Sequence, residues 1–201
     1  MKKILIATTN PGKKKEILEA LKAVKNDFEF LSLADFPALD TEPDENAATF
    51  EENALIKARF YGDKFQITTL AEDSGLILSA FPDKFGVRTR REIQADNDME
   101  WLRQFLDLLD GVADRACTFY SAFGWYDPVT KEEQSFLGIT KGTIVDFPAA
   151  PLEKGVPVSA VFCPDGEIDV YSAMSKEHKN EVSHRGKAAE LVEGFLGTLK
   201  N

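Results

Sequence analysis

The pattern of apolar positions in the first half of the chain predicts strands that alternate with helices. Residues 3–8 form a short apolar run that is typical of a buried strand. Asn10 and Pro11 then predict the N-cap and the first residue of a helix, and a second strand is expected near Phe28–Leu33. Residues 45–64 predict a second helix. The inward positions of the two helices are expected to be Ile17, Leu18, Leu21, Val24, Phe50, Ala54, Ala58 and Tyr61.

Polar residues mark both the second predicted helix and the strand after it. A slowly drifting polar stripe, spaced by four residues along the helix, is formed by Glu45, Thr49, Asn53 and Lys57. The next apolar run, residues 67–71, predicts a strand that ends in the sequence Glu-Asp-Ser-Gly at residues 72–75. Acidic residues at the carboxyl end of such a strand lie where open α/β sheets place their ligand crevices.

The second half of the chain predicts a hairpin between two further helices. A helix over residues 97–109 is expected to face inward with Met99, Leu102, Phe105, Leu106 and Leu109. Strands are expected at Cys117–Tyr126, Gln134–Phe147 and Val158–Phe162, and a last helix begins at Ser183 and reaches about Leu199. Together the elements predict an α/β fold, a mixed sheet with flanking helices, in one domain over residues 1–201.

Composition and charge exclude several classes of protein. The formal net charge of −10 argues against a nucleic-acid-coating role, because phosphate backbones require a basic surface. The apolar run at the N-terminus is too short for a signal peptide, and no run approaches the roughly 20 apolar residues of a membrane span. Cys117 and Cys163 have no zinc-site spacing and are expected as buried thiols in a reducing compartment. The sequence predicts a soluble, cytoplasmic protein that binds neither nucleic acid nor membranes.

Two predicted helices begin with basic residues, which the helix dipole disfavours at that end. The first begins Asn10-Pro11-Gly12-Lys13-Lys14-Lys15, and the last begins Ser183-His184-Arg185-Gly186-Lys187. A bound polyanion would offset this cost, because free backbone N–H groups, the dipole and the basic side chains would all face the same phosphates. Solvated lysines at an exposed turn are the alternative, and the occurrence of two such starts favours phosphate binding.

Carboxylates supply the second half of the predicted site. Because neighbouring residues of a strand point to opposite faces, only one of Glu72 and Asp73 is expected to point into the cleft. Mg²⁺ binds through one or two carboxylates together with substrate phosphates and water, and Glu45 is the best distant partner for such a site. A carboxylate there could also take a proton from an attacking water.

Four segments, in this order, resemble the motifs of the inosine triphosphate pyrophosphatase family. They are Thr8–Lys13, the segment with Glu45, Thr49-Phe50 and Asn53–Ala58, the acidic segment Ala71–Leu76, and Ser183–Ala188. The matches extend from about Ile4 to Leu196, and the four together are specific. The resemblance implies two lobes around a central active-site cleft, a homodimer, and Mg²⁺-dependent hydrolysis of a nucleoside triphosphate to the monophosphate and pyrophosphate.

The resemblance also implies roles for individual residues. Asp73 becomes the general base and a metal ligand, with Glu45 and Glu72 as further candidate metal ligands. The residues expected around the nucleotide are Thr8, Asn10, Lys13, Lys57, Ser74, Lys179, Ser183, His184 and Arg185. By analogy, Lys13 and its helix start hold the phosphates, whereas Lys179, His184 and Arg185 lie nearer the base and sugar.

Two segments depart from the family pattern, and both concern the substrate. Where the family usually has Phe-Gly-Tyr/Trp-Asp-Pro, this chain has Val156-Pro157-Val158-Ser159-Ala160, without the base-stacking aromatic and the base-reading acid. The segment Gly86–Arg91 also carries extra positive charge. Non-standard purine nucleotides such as ITP, dITP and XTP are the expected substrates. The alternatives are the same reaction on another nucleotide and a nucleotide-binding protein without turnover.

Overall fold

A computed structural model describes residues 1–199 and shows a mixed α/β fold, as predicted. The predicted domain, residues 1–201, extends two residues beyond this range. Seven strands form one sheet: β1 (Lys2–Ala7), β2 (Phe28–Ser32), β3 (Thr69–Leu78), β4 (Phe81–Gly86), β5 (Ala116–Tyr126), β6 (Glu133–Ile144) and β7 (Phe162–Pro164). Five α-helices flank it: α1 (Pro11–Ala20), α2 (Phe50–Phe65), α3 (Asp98–Leu108), α4 (Lys176–Val182) and α5 (His184–Thr198).

The order of the strands in the sheet is β2-β1-β3-β5-β6-β7, and β4 pairs with β3 beside this path. β1 runs parallel to both of its neighbours, whereas the pairs from β3 to β7 are antiparallel. β3 therefore joins a parallel part of the sheet to an antiparallel part. Its whole length, Thr69–Leu78, pairs with β5.

Separate hydrophobic clusters pack on the two ends of this sheet. At the β1 end, α1 and α5 cover one face through residues such as Ile17 and Val192, and α2 covers the other through Ala54 and Ala58. At the far end, α3 contributes Trp101 to a second large cluster. The candidate site described below lies between these clusters.

The second helix begins later than predicted. α2 starts at Phe50, because the Thr49 side chain caps it by accepting a hydrogen bond from the Glu52 N–H (3.2 Å). Glu45 therefore precedes the helix, and the predicted polar stripe does not lie on one helical face. Lys57 nevertheless contacts Glu45, with 2.8 Å between Nζ and Oε2.

The acidic segment lies in the middle of a strand and not at its end. β3 continues through residues 72–75 because β5 provides an antiparallel hydrogen-bonding partner for every residue up to Leu78. This pairing joins residues far apart in the chain, so the local run of polar residues could not reveal it. The prediction that the strand ends at residues 72–75 is wrong.

Smaller corrections concern the second half of the chain. The strand expected at Val158–Phe162 is a short 3₁₀ turn at Pro157–Ala160, where Pro157 favours a helical start, followed by β7. Met99 is 72% exposed, because the buried face of α3 is set by Trp101, Leu102 and Phe105 instead. The sequence analysis did not predict β4 or α4.

Candidate active site

The site forms where one edge of β3 loses its neighbour. β1 covers this edge only as far as Ala71, and β4 pairs with it again only from Leu76. Residues 72–75 lie in the gap between the two partners, while β5 covers the opposite edge. Because the edge is open there, side chains from both faces of β3 reach the same space. Both Glu72 and Asp73 line the cavity, so the prediction that only one of them does is wrong.

A cavity of about 360 Å³ occupies this gap. Ten of the twelve residues predicted for the site line it: Thr8, Asn10, Lys13, Glu45, Lys57, Glu72, Asp73, Ser74, His184 and Arg185. They come from the end of β1, the start of α1, the segment before α2, α2 itself, β3 and the start of α5. Residues distant in sequence thus meet because α1 and α5 both begin at this edge of the sheet.

The start of α1 has the geometry predicted from the sequence. Asn10 Oδ1 accepts hydrogen bonds from the N–H groups of Gly12 (2.9 Å) and Lys13 (3.1 Å). Thr8 Oγ1 accepts one from the Asn10 N–H (3.2 Å). Pro11 occupies the first helical position, where its missing N–H costs nothing. The cap therefore fixes the direction of the helix whose positive end faces the cavity.

Glu72 holds the basic residues of both helix starts in place. Its carboxylate lies 3.0 Å from Lys13 Nζ and 3.0 Å from Arg185 Nη2, and Ser121 Oγ donates to it at 2.9 Å. Although burial by itself raises the pKa of the Glu72 carboxyl, Lys13 and Arg185 outweigh it and hold the pKa well below its usual range. Glu72 thus offsets part of the cost of placing basic residues at these two helix starts, a compensation that the sequence alone attributed to a polyanion that would bind there.

Asp73 is the carboxyl group whose pKa is raised most clearly among the described residues of the cavity. It is 7% exposed, and burial raises its pKa to about 6, while Lys13 and Lys57 lower it and Glu72 and Glu45 raise it further. The Asn53 amide donates to Oδ2 at 3.3 Å. A carboxyl group with this pKa exchanges protons near neutral pH, which suits a general base.

Lys57 connects Asp73 to the segment before α2. Its ammonium group lies 2.8 Å from the Glu45 carboxylate and donates to the backbone oxygen of Glu72 at 3.1 Å. The same cation lowers the pKa of Asp73. Lys57 therefore holds Glu45 on the Asp73 side of the cavity, although Glu45 lies outside any regular element.

His184 and Arg185 form the wall of the cavity at the start of α5. The His184 ring stacks on Phe119, with 4.7 Å between ring centroids, and Arg185 donates to Ser74 Oγ at 3.2 Å. Burial, and then the neighbouring Arg185 cation, hold the pKa of His184 well below its usual range, so the ring is neutral. Arg185 also forms an ion pair with Glu16.

Two predicted substrate-binding residues do not line the cavity. Lys179 lies on α4 and pairs with Glu16 (2.6 Å) and Glu153 (3.4 Å). Ser183 is buried, and its hydroxyl accepts a hydrogen bond from the Gly186 N–H (3.0 Å), which caps α5. In this geometry Lys179 contacts Glu16, which also pairs with Arg185, and Ser183 caps the helix that begins with His184 and Arg185.

Several residues that line the cavity were not predicted from the sequence. They are Glu42, Tyr61, Arg90, Arg91, Trp101 and Phe119 among others. The extra positive charge of Gly86–Arg91 was noted and was the only signal for the two arginines. Of Phe85, Phe119 and Phe147, the three phenylalanines that could replace the missing base-stacking aromatic, Phe119 lines the cavity, whereas Phe85 is buried outside it and Phe147 is 71% exposed.

The fold and the site define an α/β protein with a cavity for a polyanion, built from two basic helix starts and a buried carboxyl group. The sequence model of the Ham1 family matches residues 4–195. The chain belongs to the Ham1 family, which confirms the resemblance inferred from its four motifs.

Individual relatives match along almost the whole chain. A dITP/XTP pyrophosphatase of Aquifex aeolicus is 33% identical, covering 99% of this chain and 97% of that protein. One of Lactobacillus acidophilus is 34% identical, covering 98% of each.

Solved structures are similar to this fold along almost the whole chain. The Staphylococcus aureus Ham1 protein superposes with a TM-score of 0.81 at 27% identity, covering 98% of this chain and all of that chain. A nucleoside-triphosphatase/dITP/XTP pyrophosphatase of Mycobacterium abscessus superposes with a TM-score of 0.70 at 31% identity, covering 94% and 98%.

Proposed function

We propose that this chain is a nucleoside triphosphate pyrophosphatase that acts on non-standard purine nucleotides such as dITP, ITP and XTP. It is a hydrolase of phosphoanhydride bonds and releases the nucleoside monophosphate and pyrophosphate. Relatives that match nearly the full chain are named as dITP/XTP pyrophosphatases, which supports the reaction and its substrates. The observation that carries the proposal is Asp73, a buried carboxyl group of raised pKa between two lysines.

The triphosphate binds at the start of α1. Backbone N–H groups at a helix N-terminus and the helix dipole attract phosphate, and Lys13 adds a charge on the same side. Lys57 lines this space from α2, and Arg91, which donates to the Glu45 backbone oxygen at 3.2 Å, lines it as well. Because Lys13 is already paired with Glu72 at 3.0 Å, its position is set before the substrate arrives, which reduces the ordering that binding requires.

Asp73 accepts the proton of the attacking water. Its raised pKa makes it a stronger base than an exposed aspartate, whose ordinary value is 3.8. The Asn53 amide holds Oδ2 at 3.3 Å, so the orientation of the carboxylate is fixed by α2. Lys57 and Lys13 stabilise the negative form, which keeps Asp73 ionised at neutral pH.

The chemistry of the donor atoms fits Mg²⁺. Asp73 and Glu45 offer carboxylate oxygens on one side of the cavity, and Mg²⁺ needs only one or two carboxylates beside phosphate and water. Glu72 is less suited, because its carboxylate already forms ion pairs with Lys13 and Arg185 and accepts a hydrogen bond from Ser121. We therefore assign Asp73 and Glu45 as the ligands. When bound, the cation would neutralise phosphate charge and acidify a water.

No group of three or more His, Cys, Asp or Glu residues in a metal-binding arrangement occurs among residues 1–199. The metal site is therefore proposed to depend on the substrate, whose phosphate oxygens would complete the ligand set. In the same part of the chain, no helix is long and apolar enough to cross a membrane. The homodimer and the cytoplasmic location stay predictions.

The base lies in the apolar end of the cavity. β3 places Leu76 three residues beyond Asp73, roughly 10 Å along the strand, and Leu76 is opposite Phe119 on β5. Phe119, the neutral His184 and Val156 line this end together. An apolar wall with one neutral imidazole suits a purine ring, and it offers few charged groups to distinguish one purine from another.

A substrate panel tests the proposal. The purified protein is incubated with ITP, dITP, XTP, ATP, GTP and dUTP, with and without Mg²⁺, and pyrophosphate is measured directly. We expect pyrophosphate from the non-standard purine nucleotides only when Mg²⁺ is present. A higher kcat/KM for dUTP would favour the same reaction on another nucleotide, and tight nucleotide binding without pyrophosphate would favour a binding protein.

A further inference from the structure

The base side of the cavity is formed by a segment whose own backbone hydrogen bonds are those of short turns, from the Val156 N–H to the Glu153 oxygen (3.1 Å) and from the Ser159 N–H to the Val156 oxygen (3.1 Å). Residues 154–160, which we call the wall segment, connect the loop after β6 to β7 and include the short turn at Pro157–Ala160. Gly155, Val156 and Ser159 line the cavity. Because short turns of this kind add little rigidity, contacts from neighbouring elements contribute to the position of the segment.

The Gly155 peptide is held from two opposite sides. Its N–H donates to Asp98 Oδ2 at 2.6 Å, and its carbonyl accepts from Asn10 Nδ2 at 3.0 Å. Asn10 is the residue that caps α1, whereas Asp98 is the first residue of α3. The wall segment therefore bridges the phosphate side of the cavity and the helix that carries Trp101.

The contact between the wall segment and α1 is so close that only glycine fits on either side. A Cβ at Gly12 would lie 2.2 Å from the carbonyl oxygen of Lys154, and one at Gly155 would lie 2.3 Å from Asn10 Oδ1. Gly155 also has a φ of +83°, in the left-handed region that favours glycine. The bond to Asp98 thus acts on a segment that is seated against the helix start.

Asp98 is itself held by a cation. Arg90 Nη2 lies 3.0 Å from Asp98 Oδ1, and its guanidinium group lies over the Trp101 ring at 5.7 Å from the ring centroid. The Asp98 side chain is 20% exposed and that of Arg90 is 58% exposed. The ion pair is therefore open to solvent and weak, whereas the charge-assisted hydrogen bond to Gly155 is the stronger contact.

We propose that Asp98 is a positioning residue: through the Gly155 N–H it keeps the wall segment seated against the start of α1 and so sets how tightly the cavity holds its nucleotide. The inference rests on the proposed function for its effect on catalysis. Asp98 does not line the cavity, so it acts on the binding of substrate and transition state alike, and its loss changes KM more than kcat.

Hydrogen exchange at the Gly155 N–H tests its hydrogen bond to Asp98 without measuring enzyme turnover. In hydrogen-exchange mass spectrometry, we expect Asp98→Ala to speed exchange in peptides covering residues 150–160 by about tenfold or more. Asp98→Asn keeps an oxygen that can accept this bond, so it should stay within about threefold of wild type. Arg90→Ala, which removes only the exposed partner, should do the same. Unchanged exchange in Asp98→Ala would overturn the proposal.

Kinetics with ITP test the consequence for the cavity. Asp98→Ala should raise KM by roughly tenfold and change kcat by less than about threefold, and Asp98→Asn should restore KM. Asp107→Ala is the matched control, because Asp107 also pairs with an arginine on α3 but is exposed, 2.6 Å from Arg103. A loss of kcat at constant KM in Asp98→Ala, or equal effects of Asp98→Ala and Asp107→Ala, would overturn the assignment.

A second variant covers the case in which Asp98→Ala does not fold. Asp98→Ser keeps a polar residue in the first turn of α3, yet its hydroxyl is too short to reach the Gly155 N–H, so it should reproduce both changes. If the wild-type protein releases no pyrophosphate, the proposed function fails, whereas the exchange experiment still decides the role of Asp98.

Discussion

Asp73→Asn is predicted to stabilise the metal-free protein while removing its activity. The folded state raises the pKa of Asp73 from 3.8 to about 6, first by burial. The folded protein therefore holds this proton more tightly than the unfolded chain does. Above a pH of about 6 the buried charge costs stability, and this cost disappears as the pH falls below about 4, where both states are protonated.

The size of the effect follows from the two pKa values. The difference between 3.8 and about 6 corresponds to about 3 kcal/mol, at roughly 1.4 kcal/mol per pKa unit. Asparagine has nearly the same side-chain volume as aspartate, and its oxygen can still accept a hydrogen bond from the Asn53 amide. Lys13 and Lys57 lose one attraction each but keep their pairs with Glu72 and Glu45. We therefore expect a gain of about 1–3 kcal/mol at a pH of about 7.5.

Urea denaturation in the presence of a chelator measures this gain. The free energy of unfolding of wild type and Asp73→Asn is compared at several pH values between about 4 and about 7.5, with Asp107→Asn as an exposed control. The advantage of Asp73→Asn should shrink to near zero at a pH of about 4. A destabilised variant at a pH of about 7.5, or an advantage that does not depend on pH, would refute the reasoning.

Three further predictions concern the neighbours of Asp73 and the base. Glu72→Gln removes the carboxylate that the partly buried Lys13 and the buried Arg185 share, although Arg185 keeps its pair with Glu16. The free energy of unfolding in urea at neutral pH should therefore fall by about 3 kcal/mol, and a loss under about 1 kcal/mol would contradict this role. Lys57→Met removes a cation that lowers the pKa of Asp73, so the acid limb of the kcat/KM profile should move to higher pH, and an unmoved limb would argue against Asp73 as the base. The ratio of kcat/KM for ITP to that for ATP should stay below about 10⁴, the level reached by sites that hydrogen-bond every polar group of the base. A larger ratio in a substrate titration would show that the wall segment distinguishes the bases more strongly than its residues suggest.

The features that the sequence predicted are those with local causes. Asn10 and Pro11 specify the start of α1 by themselves, since an N-cap and a first-turn proline act within a few residues. The hairpin of β5 and β6 likewise follows from alternation and a nearby turn. Lys13, Asp73 and Arg185 were assigned to one site through the motifs that resemble the family, and all three line the cavity.

The features that the sequence did not predict depend on partners distant in the chain. β3 passes through its acidic segment because β5, more than forty residues later, pairs with it. Lys179 is close in sequence to the start of α5, but its ammonium group is held in ion pairs with Glu16 and Glu153. The bond from Gly155 to Asp98 joins the wall segment to the first turn of α3, and the two sequences carry no shared pattern. Only the folded structure could show these contacts.

Phosphorus NMR of the products formed from ITP and Mg²⁺ tests the central claim most directly. The proposed reaction breaks the bond between the α- and β-phosphates, so inosine monophosphate and pyrophosphate should appear together in equal amounts. Asp73→Asn should slow their formation by roughly 10²–10⁴-fold or more, because it removes the proposed base. Formation of inosine diphosphate and orthophosphate, or an Asp73→Asn variant with more than about a tenth of the wild-type rate, would contradict the account.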